Sequence, residues 1–239
     1  MATYALIHGG AHDGHCWHLL AQELESRGHT VVAPDLPVDD ESAGLDAHAQ
    51  VVIDAIGDRK EVVVVAHSLG GLVGPLVCCR RPTELLVLLA ALVPAPGETC
   101  IEAWERTGFE LDIEGVNAPD AAIPAGNGPD RNVTALATFY HDVPRPIALD
   151  AVAHLRTQSL AVLSEPSPMA AWPEVPTSYI LCRDDRMMPN EWSRRVVRES
   201  LGIEPEEIDG SHSPFLSRPS ELADLLESLR LRARGQSEG

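Results

Sequence analysis

The chain has 239 residues, 44% of them hydrophobic and 23% charged, which is enough apolar material for one full-sized core. A formal net charge of −18 argues against nucleic acid or an anionic membrane surface as a partner, since both would repel it. No stretch approaches the roughly 18 apolar residues of a membrane span, and MATYALIHGG at the N-terminus lacks a basic leader, so a cytoplasmic protein is expected.

The cysteines at 16, 78, 79, 100 and 182 fit that expectation, being odd in number and without metal-type spacing. No metal site is expected from them.

Residues 3–8 (TYALIH) form an apolar run closed by Gly9-Gly10, which predicts a buried strand. Helical spacing follows from Trp17 to Arg27 with Gly28 as its stop, then a strand over 30–33 and a helix over 45–56. A strand over 61–66, a helix over 70–79 and a strand over 85–92 continue the alternation. Strands and helices in this rhythm predict a parallel sheet of about six strands covered on both faces, an α/β fold.

The rhythm breaks at Pro94-Ala95-Pro96-Gly97 and resumes near residue 174. Between them, helical patterns at 98–108, 133–141 and 147–163 flank a run at 117–132 rich in Pro, Gly and Asn. The expected division is therefore a core from 1–94 and 174–239, with a helical cap inserted at 95–173. A strand at 177–182, a helix at 190–201, a strand at 203–208 and a helix at 219–231 complete the core, and residues 230–239 read as a frayed tail.

Within VVVVAHSLGGLVG at 62–74, four valines without alternation mark a central strand buried on both faces. Ser68 follows its C-terminal end, where open parallel sheets place their ligand crevice. A serine on a tight strand-to-helix turn needs tiny residues two positions either side, and Ala66 and Gly70 supply them, as in a nucleophile elbow. An ordinary helix-capping serine is the plainer alternative.

A serine nucleophile needs a base, and the base needs a carboxylate. His212, in the loop Gly210-Ser211-His212-Ser213-Pro214 before the last helix, stands where that base should be. Asp184 and Asp185, after the strand at 177–182, are the two candidate acids. Backbone N–H donors for an oxyanion are expected from Leu69 and from the glycine-rich loop after the first strand.

HGGAHDGHCW at 8–17, GHTVVAPDLP at 28–37, VVVVAHSLGG at 62–71, YILCRDDRMMP at 179–189 and GSHSPF at 210–215 make the chain similar to the plant methylesterase and hydroxynitrile lyase branch of the α/β-hydrolases. The resemblance implies a helical cap over the site, no cofactor, and hydrolysis of small esters. It implies Ser68 as nucleophile, His212 as base, and the N–H groups of Gly10 and Leu69 as oxyanion donors. The family spacing of the acid before the loop proline selects Asp185, with Asp184 as the alternative.

The lyases of this branch carry Thr after the first loop histidine and Lys after the catalytic one, where this chain has Gly9 and Ser213. Loss of that cation favours ester hydrolysis. Trp104, Phe139, Tyr140, Met169 and Trp172 are the candidate cap residues over the substrate, with plain packing as the alternative for each.

The expected function is a serine carboxylesterase acting on a small, largely apolar ester or lactone. Two rival readings are a cofactor-free tailoring enzyme for carbon–carbon cleavage or rearrangement, and a small-molecule binding protein on the same scaffold. The sequence leaves monomer or homodimer open.

Overall fold

The computed structural model describes residues 1–109 and 129–237. Six strands form one wholly parallel sheet in the order β2-β1-β3-β4-β5-β6. They are β1 (Thr3–Ile7), β2 (Thr30–Val32), β3 (Val62–His67), β4 (Leu85–Leu89), β5 (Thr177–Cys182) and β6 (Glu206–Ile208).

β3 lies between β1 and β4 and is buried along its whole length, as four consecutive valines require. Alternate residues serve two cores. Tyr4, Leu6, Val63, Val65, Val87 and Leu89 face one layer, which includes Leu20, Leu24, Leu222 and Leu226; Ala5, Ile7, Val62, Val64, Leu86 and Leu88 face another, which includes Leu45, Val52, Leu76 and Val197. The strand order turns back between β1 and β3, so the crevice beyond their C-terminal ends is the natural ligand site of such a sheet.

Ten α-helices are described: α1 (His18–Ser26), α2 (Leu45–Ile56), α3 (Gly74–Arg80), α4 (Cys100–Thr107), α5 (Pro129–Thr138), α6 (Arg145–Ala153), α7 (Ala161–Ser164), α8 (Asn190–Leu201), α9 (Pro214–Ser217) and α10 (Pro219–Ser237). Helices α4 to α7 fall within the interruption of the rhythm. Most of the run at 117–132 lies outside the described residues.

Three expectations change. The helix expected over 147–163 is two, α6 and α7, because the intervening backbone bonds to the core instead. Arg156 N–H donates to the Ala11 carbonyl (2.7 Å) and Ser159 N–H to that of Val38 (2.6 Å). The helix expected from Gly70 begins as a 3₁₀ turn, Ser68–Leu72, and becomes α-helical only at Gly74. The tail expected to fray from residue 230 continues α10 to Ser237. There Leu229 and Ala233 are buried, and Arg230 bonds to Glu84 (2.8 Å) and Glu61 (2.9 Å).

Candidate active site

β3 delivers Ser68 at φ +51°, a left-handed conformation costly for any residue with a Cβ. The chain tolerates it because it is held on every side. The Ser68 carbonyl accepts from Leu92 N–H at 3.0 Å. Gly70 and Gly71 clear the space beneath the turn: a Cβ on Gly70 would stand 2.9 Å from the Ile7 carbonyl oxygen, and one on Gly71 2.1 Å from that of Leu92.

The loop after β1 packs against this turn. A Cβ on Gly9 would lie 2.9 Å from the Ser68 Cβ, and one on Gly10 3.2 Å from the Leu69 side chain. Its backbone is fixed by two buried imidazoles. His8 accepts from Leu36 N–H at 3.0 Å through Nε2, so its Nδ1 carries the proton and donates to the Gly9 carbonyl at 2.9 Å. That bond orients the peptide group whose N–H belongs to Gly10. Burial lowers the His8 pKa to about 4 and keeps the ring neutral. His12 donates from Nδ1 to the Gly10 carbonyl at 2.7 Å and receives the Tyr140 hydroxyl at Nε2, at 2.8 Å.

β5 and β6 carry the remaining members. His212 Nδ1 lies 2.8 Å from Asp185 Oδ2, with both side chains 1% exposed. The other oxygen of Asp185 accepts from Met187 N–H (2.7 Å) and Met188 N–H (2.9 Å), which locks the carboxylate. Asp184 instead accepts from Gly210 N–H at 3.1 Å, bracing the histidine loop from outside. The same loop is held by Ser211, whose hydroxyl donates to the Phe139 carbonyl at 2.9 Å. His67, next to the serine, donates from Nε2 to the His212 carbonyl at 2.9 Å. Its ring is fully buried, and burial, then the neighbouring histidines, holds its pKa well below the usual range.

An alpha/beta hydrolase family model matches residues 5–225. The chain belongs to that family. Among curated relatives, methylesterase 9 of Arabidopsis thaliana is 28% identical over 251 residues, spanning 95% of this chain and 97% of the relative. A pyrethroid hydrolase of Sphingobium wenxiniae is 28% identical over 243 residues, spanning 92% and 85%. Among solved structures, polyneuridine aldehyde esterase superposes with a TM-score of 0.78 at 21% identity, covering 96% of this chain and 99% of that one. The resemblance to the plant methylesterase branch is thus shown by the relatives, and the α/β-hydrolase fold by the superposition.

The hydrolase's cap candidates separate into two groups. Phe139 packs its ring 5.5 Å from that of His212 and 5.7 Å from that of His12, and Tyr140 bonds to His12. Trp104 lies elsewhere, stacking on Phe109 and lining a cavity with Cys100, Leu92 and Trp192. Met169 and Trp172 join the core layer on the α2 side of the sheet. Apolar character alone does not say which layer a cap residue enters.

The sequence reading did not single out His8, His67, His48 or Gln158. Gln158 accepts from Ala11 N–H at 3.0 Å and so ties the segment before α7 to the loop after β1. Its only sequence signal was a polar residue within a pattern read as helix.

One cluster among the described residues has metal-ligand chemistry: His15, Asp150 and His154, with ligand atoms within 4.8 Å of one another. The rings of His15 and His154 are stacked, with centroids 4.0 Å and planes 19° apart. Imidazole donates to a metal in its ring plane, so near-parallel rings at this distance do not converge on one ion.

Proposed function

We propose that this hydrolase is a serine carboxylesterase acting on a small, largely apolar ester or lactone. The observation that carries the reading is Ser68 at φ +51° on the turn after β3, together with the Asp185–His212 pair on the loops after β5 and β6. Backbone strain at an otherwise ordinary serine has a purpose if the hydroxyl must stand clear of the sheet. The relatives named as a methylesterase and a pyrethroid hydrolase support an ester as the substrate.

In this reading His212 Nδ1–H donates a hydrogen bond to the Asp185 carboxylate, leaving Nε2 as the base. Nε2 takes the Ser68 proton as the oxygen attacks the carbonyl carbon. The N–H groups of Gly10 and Leu69 hold the oxyanion; Leu69 stands in the first turn of a 3₁₀ segment, where N–H groups lack helical partners. His212 then protonates the leaving alcohol. In the second half it activates water against the acyl-enzyme, and the acid departs. The route takes no cofactor.

Residues 95–173 act as the cap, with Phe139 packed against the ring of the base and Tyr140 bonded to His12. Cyanohydrin lyase chemistry is disfavoured: Ser213 carries no charge, and a threonine at position 9 would press on Ser68. The cytoplasm is the place of action in this reading. Separately, among the described residues no helix is long and apolar enough to cross a membrane.

The test is intact-protein mass after exposure to a fluorophosphonate, for wild type and Ser68→Ala, with turnover of short aryl esters alongside. Labelling and turnover that both disappear in Ser68→Ala are expected. Labelling without turnover would favour the tailoring reading, and an unlabelled wild type the binding-protein reading.

A further inference from the structure

A narrow cavity of about 10 Å³, room for one small polar group, lies between the loop after β1, the turn after β3 and helix α2. It is lined by His8, Gly9, Leu69 and Gly70 at one end, and by Leu36, Val38, Leu45, Val162 and His48 among others farther along. Apart from Gly9 and Gly70, the lining among the described residues is apolar except for three side chains: His8, Gln158 and His48.

Two of these have their polar atoms engaged. His8 uses both ring nitrogens, on Leu36 N–H and the Gly9 carbonyl. Gln158 accepts from Ala11 N–H and donates to the Ser159 carbonyl at 2.9 Å.

His48 does not. It is 3% exposed, its Nδ1 meets the Gly44 carbonyl at 2.9 Å, and its Nε2 is buried with no hydrogen-bond partner among the described residues. A carbonyl only accepts, so Nδ1 carries the ring proton. Burial lowers the His48 pKa, which favours the neutral ring. In that tautomer Nε2 is a bare lone pair: an acceptor without a donor among the described residues, on a residue lining the cavity that Leu69 and Gly70, the two residues after Ser68, also line. Buried acceptors of this kind are uncommon because leaving one unpaired costs free energy.

We infer that the tip of a substrate arm reaching this cavity carries a hydroxyl or N–H group that donates to His48 Nε2, in the room for one small polar group there. The inference rests on the hydrolase reading for the word substrate, and narrows it from a small apolar ester to one bearing a neutral donor. A cation is disfavoured, since no carboxylate among the described residues lines the cavity to replace its lost hydration. Donor recognition at a buried acceptor discriminates more strongly than an apolar wall does, because the deoxy substrate leaves the acceptor unpaired.

The experiment uses ester pairs that differ by one hydroxyl: phenyl β-hydroxybutyrate against phenyl butyrate for the acyl arm, and hydroxybutyl acetate against butyl acetate for the alkoxy arm. For wild type, one pair should show a kcat/KM ratio of about five to ten in favour of the hydroxylated member. In His48→Leu that ratio should fall to about one, whereas His48→Gln, whose amide oxygen can accept, should keep part of it. A ratio is unaffected by the fraction of variant that folds.

Ratios near one for both pairs in wild type, or a ratio that survives His48→Leu, overturn the inference while leaving the esterase reading standing. If wild type turns over no ester faster than Ser68→Ala, the esterase reading falls. Calorimetric binding of β-hydroxybutyranilide against butyranilide, and of hydroxybutyl acetate against butyl acetate, then decides. A preference for the hydroxylated member in either pair that is lost in His48→Leu sustains the donor site, and absence of such a preference overturns it.

Discussion

His212 Nδ1 and Asp185 Oδ2 are 2.8 Å apart, whereas the neighbouring Asp184 bonds to the backbone of Gly210. Two adjacent carboxylates therefore have separable tasks. Asp185→Asn should lower kcat by roughly 10⁴-fold, since an amide favours the wrong imidazole tautomer. Asp184→Ala should retain most activity and lose about 1 kcal/mol of stability with its bond to the loop. Steady-state kinetics and urea unfolding of the two variants check this, and the reverse pattern would reassign the acid.

The positive φ of Ser68 predicts a stability difference between two inactive variants. Ser68→Gly relieves the conformational strain and should be more stable than Ser68→Ala by about 1 kcal/mol, because only glycine adopts this region freely. Equal unfolding midpoints would mean that the turn carries no such strain.

Acid should destabilise the protein through its buried neutral histidines. The His8 pKa falls from 6.5 to about 4 on folding, so the unfolded chain binds the extra proton between those values. Stability from this group is complete above pH 6.5 and is lost as pH drops toward 4, by up to about 3 kcal/mol. His48 and His67 shift in the same direction. Urea unfolding at stepped pH should give a slope that flattens in His8→Gln; an unchanged slope would deny His8 this role.

Two glycine-to-alanine changes should have opposite signs. Gly71→Ala drives a methyl group to 2.1 Å from the Leu92 carbonyl oxygen, so it should cost about 3 kcal/mol or more and disturb the serine turn. Gly235→Ala, in α10 with open space around it, should stabilise by about 0.5–1 kcal/mol. Thermal unfolding of both variants is sufficient.

The core elements were legible because each rests on a local pattern. Four valines running into Ser68, the helical spacing from Leu45 to Ile56, and the proline four residues after Asp185 are all short-range signals. The pieces missed depend on contacts distant in sequence. Arg156 and Ser159 read as helix until Ala11 and Val38 offered their carbonyls, more than 100 residues upstream. Arg230 read as the start of a tail until Glu61 and Glu84 arrived beside it. His8, His48 and His67 carry no pattern of their own, since a histidine's task is set by which of its two nitrogens is occupied.

The bond from His67 to the His212 carbonyl spans 145 positions of sequence and acts as a gauge block between nucleophile and base. A side chain one atom shorter or longer would reset the height of the histidine loop above β3, whatever happened to Ser68, Asp185 and His212 themselves. Redesign of this scaffold would therefore fail silently at position 67, with every reacting group present and the spacing between them wrong.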